Sequence, residues 1–264
     1  TGTLDPLASG LLPLVLGKAT RLSPFLMGSD KTYEAAIRLG AFTDTDDAQG
    51  RPMDAPDAAT RPDDAGLLAA LADFRGTFQQ VPPRHSAKKV GGKKAYDLAR
   101  QDQPLELEPV SVTVRSLDLI ARDGDDVRIV VTAASGFYVR ALARDLGQRL
   151  GCGAHIAALR RTRSGTFDIT HALPFADAER LGRGLAGHLL TPSQALQELA
   201  AVTVTAPGLR RAQHGNPLSP EHLAGRWPTE GPETRPIRVL DEGGQLIALA
   251  YARGGVLHPS VVLS

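Results

Sequence analysis

The sequence predicts an α/β protein (α+β in layout): a mixed, largely antiparallel sheet flanked by helices, followed by a small β-rich module. Three observations carry this. Period-two alternation of apolar residues recurs in three segments of the first half. A helical period of apolar residues directly follows the third of these segments. After Leu199 the composition shifts to short apolar runs separated by Gly, Pro and polar residues. The expected division is therefore a larger domain over residues 1–198 and a module over 199–264. The module's size lies near the lower limit for a fold stable on its own.

Taken in order, Asp30 to Leu39 places Tyr33, Ala35, Ile37 and Leu39 on one face and Thr32, Glu34 and Arg38 on the other, the pattern of a strand. Residues 48–66, rich in Ala, Asp and Pro, read as an exposed loop. Leu67, Leu71 and Phe74 fall at helical spacing. Val110, Val112 and Val114 alternate, as do Val127, Ile129 and Val131, and Asp123-Gly124-Asp125 between them is turn chemistry, so the two runs form an antiparallel pair. Val139, Leu142, Ala143, Leu146 and Leu150 then make a helix that starts near Ser135 or Gly136 and stops at Gly151. In the tail, Ala201–Thr205 and Ile237–Leu240 read as short strands, and Gln245–Tyr251 as a third entered through the Gly243-Gly244 turn.

Composition excludes several classes of function. Of 264 residues, 42% are hydrophobic, normal for a packed globular chain. The one cysteine, Cys152, rules out an internal disulfide and a cysteine-based metal cluster. The seven histidines form no H-x-x-x-H pair, and neither phosphate-loop signature occurs. No apolar run is long enough to span a bilayer. The expectation is a cytoplasmic protein with neither metal nor nucleotide cofactor.

Net charge is only +1, yet it is segregated. Residues 44–73 carry a net charge of −6, residues 81–103 carry +4 and residues 140–163 carry +5. Two basic clusters on a nearly neutral chain can build a face that attracts phosphates; solvated helix surfaces give the same count.

Several places carry chemistry-bearing residues. Gly2-Thr3-Leu4-Asp5-Pro6-Leu7-Ala8-Ser9-Gly10 presents one carboxylate between two glycines, beside a proline that keeps Asp5 out of helical geometry. That is how a nucleophile or base can be displayed, and also how an ordinary Asp-Pro turn looks. Arg140 stands where a strand runs into a helix, able to meet a carboxylate bidentately or to lie on a solvated face. Tyr33 and Tyr138 are either core aromatics or platforms for an unpaired base. The segment from Arg84 to Tyr96 interleaves Lys88, Lys89, Lys93 and Lys94 with a Gly-Gly hinge, which suits a clamp on a phosphate backbone. The acids Asp44–Asp47 read as a loop with nothing to link them to Asp5.

In this order these pieces resemble the TruB family of tRNA pseudouridine synthases. The matching strings are TGTLDPLASGLLPLVLGKATR (Thr1–Arg21), SDKTYEAAIRLG (Ser29–Gly40), TDTDDAQG (Thr43–Gly50), FRG (Phe74–Gly76), QVPPRHSAKKVGGKKAYDLAR (Gln80–Arg100), SGFYVRALARDLGQRLGCG (Ser135–Gly153) and AHIAALRR (Ala154–Arg161). The resemblance implies the pseudouridine synthase fold with a C-terminal PUA-like RNA-binding domain. It also implies an isomerase that converts uridine 55 in the TΨC loop of tRNA, as a monomer, without cofactor, membrane or guide RNA. Asp5 matches the catalytic aspartate, Arg140 the arginine paired with it, and Tyr33 the aromatic that stacks on the target base and assists removal of its carbon-5 proton. Tyr138 and Leu159 match residues lining the pocket of the flipped base. Residues 84–103 match a thumb insert that closes over RNA, with Lys88, Lys89, Lys93 and Lys94 as its cations, and Arg161 is expected to contact substrate.

Family members also carry a histidine directly before the Thr-Gly pair and an N-terminal segment with a lysine-proline motif. Neither precedes Thr1. The resemblance therefore implies an N-terminally truncated chain, much less active than one extended upstream. Three other readings compete: a guide-RNA-dependent synthase subunit, which would lack the thumb insert; an RNA chaperone that needs no catalysis; and an aspartyl-phosphate hydrolase, which would need a D-x-D nucleophile and metal-binding acids.

Overall fold

The computed structural model describes residues 1–53, 61–86, 88–90, 93–94, 107–227 and 234–263. The chain forms two compact units. The first comprises Gly2–Pro13 and Gly28–His171, and the second comprises Thr1, Leu14–Met27 and Ala172–Ser264.

The first unit is built on a seven-stranded sheet. In chain order its elements are β1 (Ser9–Gly10), β2 (Lys31–Leu39), β3 (Phe42–Thr43), β4 (Pro52–Met53), α1 (Asp64–Ala72), β5 (Gly76–Gln80), β6 (Lys89–Val90), β7 (Lys93–Lys94), β8 (Val110–Asp123), β9 (Asp126–Ala133), α2 (Val139–Leu150), β10 (Ala154–Ser164) and β11 (Phe167–Asp168). The large sheet runs β1-β10-β2-β9-β8-β5, with β11 pairing β10. Every pairing in it is antiparallel except β1 with β10. Two small hairpins, β3-β4 and β6-β7, stand apart from it.

The alternation read in the sequence becomes the core face. Ile37, Val127, Ile129 and Val131 are almost wholly excluded from solvent and pack with Leu67 and Leu71 of α1 and Leu142 and Leu146 of α2. Burying a side chain of this kind contributes roughly 1.5–3 kcal/mol. These layers fix α2 against β10, and so fix the height at which its first turn meets the sheet. The glycine expected to stop α2, Gly151, does so with φ of 70°.

Local differences from the sequence reading have simple causes. Tyr138, with extended backbone, caps α2, so the helix begins at Val139 and not at the small residues before it. Helix α1 ends before Phe74, whose ring instead meets Phe78 edge-on at a centroid separation of 5.7 Å. The expected loop over 48–66 contains β4 and the start of α1, which Asp63 caps by accepting from the Gly66 N–H at 2.8 Å. Residues 54–60 lie outside the described ones.

The second unit contains α3 (Ser23–Met27), α4 (Phe175–Leu181), α5 (Pro192–Ala195), β12 (Ala201–Thr203), α6 (Ala206–Gln213), β13 (Ile237–Leu240), β14 (Leu246–Arg253) and β15 (Val256–Val262). Strands β12-β13-β14-β15 make a four-stranded sheet over a core of Val204, Leu218, Val239, Ala248 and Leu257. The sequence reading found three of these strands. It missed β15, whose alternation His258 and Pro259 obscure, and α6, which follows β12 with only Val204 and Thr205 between. Among the described residues no helix is long and apolar enough to cross a membrane.

Candidate active site

The loop that carries Asp5 is held by its own turn and by the sheet edge. The Asp5 carbonyl accepts from the Ala8 N–H at 2.8 Å, and Ser9 and Gly10 then pair with Arg160 and Arg161 of β10. Gly10 has φ of 102°, and a Cβ there would stand 2.3 Å from the Arg161 carbonyl oxygen, so only glycine permits this pairing.

Arg140, in the first turn of α2, reaches that loop with both arms of its fork. Nε donates to Asp5 Oδ2 at 2.8 Å and Nη2 to Asp5 Oδ1 at 2.9 Å. The arginine side chain is 5% exposed and that of the aspartate 36%, so the carboxylate is presented while its partner is enclosed. Two further bonds run from Nη1 to the Thr45 carbonyl at 3.0 Å and from Nη2 to the His85 carbonyl at 2.9 Å. A buried guanidinium is costly unless its donors find acceptors, and here each of its three nitrogens has at least one.

The acidic segment after β3, read from sequence as an unconnected loop, is in fact joined to Asp5 through Arg140. Asp47 Oδ2 lies 3.8 Å from Arg140 Nε. The Asp47 carboxylate is buried and accepts from the Thr45 hydroxyl at 2.7 Å and the Gln49 N–H at 3.0 Å. One turn along α2, Arg144 repeats the arrangement. It donates to Asp145 Oδ1 at 2.9 Å, Asp46 Oδ2 at 3.2 Å and the Val81 carbonyl at 2.7 Å. Burial pushes the Asp46 carboxyl up to about 6, against the downward pull of Arg144 and Arg140. Burial likewise raises the Asp145 carboxyl, again opposed by Arg144. Two arginines at i and i+4 thus bind the same two loop segments to one helix face.

Gln80 was not singled out in the sequence. At the end of β5 and fully buried, it donates Nε2 to the Tyr138 carbonyl at 3.2 Å and accepts the Tyr138 N–H on Oε1 at 3.0 Å. Its amide therefore pins the residue that caps α2, two positions before Arg140. In the sequence it is only the second of two adjacent glutamines before Val81-Pro82-Pro83, with no local feature that sets it apart from Gln79.

Tyr33 of β2 lies directly opposite Arg161 of β10. Burial raises the Tyr33 hydroxyl pKa; the charge and hydrogen bond of Arg161 lower it, and the charge of Asp5 raises it. Asp5, Arg140, Tyr33 and Arg161 thus share one neighbourhood. Leu159 belongs to the core on β10, and its carbonyl is 3.5 Å from the Ser9 hydroxyl. Lys88 donates Nζ to the Glu108 carbonyl at 3.0 Å. Lys89 pairs with Lys94 in the β6-β7 hairpin, where Lys93 pairs with Val90. The rest of the expected thumb, residues 87, 91–92 and 95–103, lies outside the described residues. Among the described residues, no group of three or more His, Cys, Asp or Glu side chains is arranged to hold a metal.

A family model described as TruB family pseudouridylate synthase (N terminal domain) matches residues 1–139. The chain belongs to the TruB family. A second model, tRNA pseudouridylate synthase B C-terminal domain, matches residues 140–182. Asp5 and Tyr33 fall under the first and Arg140 under the second. Among curated relatives, a tRNA pseudouridine synthase B of Burkholderia mallei is 43% identical over 260 residues, covering 98% of this chain and 85% of its own. Those of Dechloromonas aromatica and Cereibacter sphaeroides are 41% and 40% identical, over 98% and 100% of this chain and 83% and 85% of their own. A chain in the crystal structure of a Cbf5-Nop10-Gar1 complex superposes with a TM-score of 0.74 at 23% identity, covering all of this chain and 75% of that one. The sheet and helices of this TruB-family chain are therefore those of a shared fold, and pseudouridylate synthases are isomerases.

Proposed function

We propose that this chain converts uridine to pseudouridine at position 55 in the TΨC loop of tRNA, acting as a monomer without a guide RNA. The observation that carries the reading is the bidentate Asp5–Arg140 pair, set in a loop beside Tyr33. The relatives named tRNA pseudouridine synthase B support tRNA as the substrate.

A uridine in a folded loop must leave its stack to reach Asp5, at a cost of a few kcal/mol. The Tyr33 face, the Tyr138 and Leu159 pocket and the cations of the 84–103 segment offset this. Asp5, with its orientation fixed by Arg140, either attacks the base or the ribose or takes a ribose proton, and the uracil detaches from its nitrogen. The base then rejoins through carbon 5, and Tyr33 receives the proton that carbon 5 sheds. In this reading residues 1–198 carry the chemistry and the β sheet within 199–264 is a PUA-like RNA-binding module.

The test is incubation of the protein with unmodified tRNA transcript, followed by mapping of pseudouridine by position. Pseudouridine at position 55 is expected. Product confined to another position overturns the position, and no product overturns the enzyme reading. An Asp5→Asn variant that binds tRNA but makes no product is expected alongside.

A further inference from the structure

Arg161 holds a charge that the Asp5–Arg140 pair leaves unused. It is the largest of the fully buried side chains among the described residues, at 1% exposure. Nε donates to the Leu11 carbonyl at 2.8 Å and Nη2 to the Gly2 carbonyl at 3.1 Å. These two carbonyls lie at opposite ends of the loop that presents Asp5. Both are neutral, and among the described residues no carboxylate forms an ion pair with this guanidinium. Enclosing a cation against two carbonyls and a phenol, with no carboxylate, is expensive, so the charge needs another use.

The register of the sheet shows where that use lies. Tyr33 is the residue directly across from Arg161, and directly opposed residues on neighbouring strands project their side chains from the same face. The β10-β2 pairing shifts register immediately after Arg161, the kind of irregularity that re-aims a side chain beside a site. We propose that Arg161 is a positioning residue for the carbon-5 proton step, locking both ends of the Asp5 loop and holding Tyr33 as the base. This rests on the reading of Tyr33 given above.

Once carbon 5 is joined to the ribose it bears one hydrogen. The Tyr33 oxygen takes that proton and the C5–H electron pair forms the C5–C6 double bond. Carbon 6 gives up a bonding pair in exchange, either expelling the Asp5 carboxylate where that had added or passing its N1–C6 π pair to N1, which takes a proton from solvent. The Tyr33 phenol then returns its own proton to solvent. Burial and Asp5 both keep the proton on Tyr33, whereas Arg161 favours its release. Lys31, two residues earlier on β2, feels Arg161 as a like charge and is held below its ordinary value chiefly by burial.

The experiment compares the parent, Arg161→Lys, Arg161→Met, Tyr33→Phe and the Arg161→Met/Tyr33→Phe double variant. Each receives tRNA transcript made with uridine or with 5-deuterated uridine, and single-turnover rates are followed from about pH 6 to pH 9. With Arg161→Met the rate near neutrality should fall roughly 10²-fold, within the range of one acid–base group. The deuterium effect should grow as proton removal becomes limiting. Arg161→Lys should restore part of the rate and bring the deuterium effect back toward the parent's. In the Tyr33→Phe background, Arg161→Met should cost less than in the parent, the remainder reflecting the loosened Asp5 loop. A fall in rate with an unchanged deuterium effect, or the full loss repeated in the Tyr33→Phe background, would overturn the proposal, leaving a structural clamp. So would a loss confined to tRNA affinity with a shallower salt dependence, which would mark Arg161 as a phosphate contact. If Arg161→Met does not fold, the rate and deuterium effect of Arg161→Lys decide the matter. A parent that makes no pseudouridine refutes the proposed function instead, an outcome distinct from all of these.

Discussion

Arg140 grips both carboxylate oxygens of Asp5, at 2.8 and 2.9 Å, from the first turn of a helix 135 residues away in sequence. The aspartate's orientation is thus not a property of its own loop. It is set by packing between α2 and β10, by the loop after β3, and by the segment that ends in His85. Arg140→Lys keeps the charge but loses the planar fork. It should lower the single-turnover rate roughly 10²-fold, as expected for a reacting group displaced by about 1 Å. Tm and tRNA affinity should change far less than the rate.

Asp5→Asn removes the reacting carboxylate and leaves a side chain of the same shape. Turnover should fall by more than about 10³-fold, the scale seen when a nucleophile is removed, and tRNA binding measured by filter retention should persist. Activity within about tenfold of the parent would show that Asp5 is not the group that reacts.

Gln80 holds the Tyr138 backbone at both its donor and its acceptor. Gln80→Leu would leave the Tyr138 N–H without its partner, at about 1–3 kcal/mol, while the Tyr138 carbonyl keeps the bond it accepts from the Leu142 N–H at 3.1 Å. Urea denaturation should show this loss of stability. The rate should fall as well, because the capped end of α2 carries Arg140.

Asp46 supplies a pH dependence of definite sign. Its carboxyl is raised from 3.8 to about 6 in the folded chain, chiefly by burial. Folding therefore favours the protonated form. The stability this proton gives is fully present below the unfolded value and is lost as pH rises through about 6. Asp46 has φ of 63°, a conformation asparagine also tolerates. Asp46→Asn should gain stability relative to the parent between about pH 4 and pH 8, by on the order of 2 kcal/mol in all. Urea titrations of both proteins at the two ends of that range measure the difference directly, and a constant offset across it would contradict the assignment.

Much of this was legible in the sequence because it rests on local rules. The alternation in Asp30–Leu39 and in the two valine runs fixed which side chains face the core, and Gly151 marked the helix end. The Asp5 motif, Arg140 and Tyr33 stood out as residue types in unusual local settings. What was not legible depends on contacts between segments far apart in sequence. Asp47 looked like one acid in a solvated run, and only the fold shows it buried beside Arg140. Gln80 has no local signature, since its role comes from a partner 58 residues on. Arg161 was expected to contact substrate as one of a basic cluster, and the count of charges cannot reveal that its side chain is enclosed.

Gly10 tests whether the loop's seat on β10 matters as much as its chemistry. Its φ of 102° lies where side-chain-bearing residues are strained, and the Cβ of an alanine would fall 2.3 Å from the Arg161 carbonyl oxygen. That oxygen cannot retreat easily, because it accepts from the Leu11 N–H at 2.8 Å and belongs to a central stretch of β10. The loop must therefore move instead, which lifts Leu11 and Gly2 from the Arg161 guanidinium and carries Asp5 away from Arg140. Gly10→Ala should cost about 1–3 kcal/mol of stability from backbone strain. It should lower the rate by more than that loss predicts, since the fraction folded at the assay temperature would barely change. Gly17→Ala is the control: its φ is also positive, at 55°, but nothing lies within 4 Å of an added Cβ, so it should show strain without the catalytic defect.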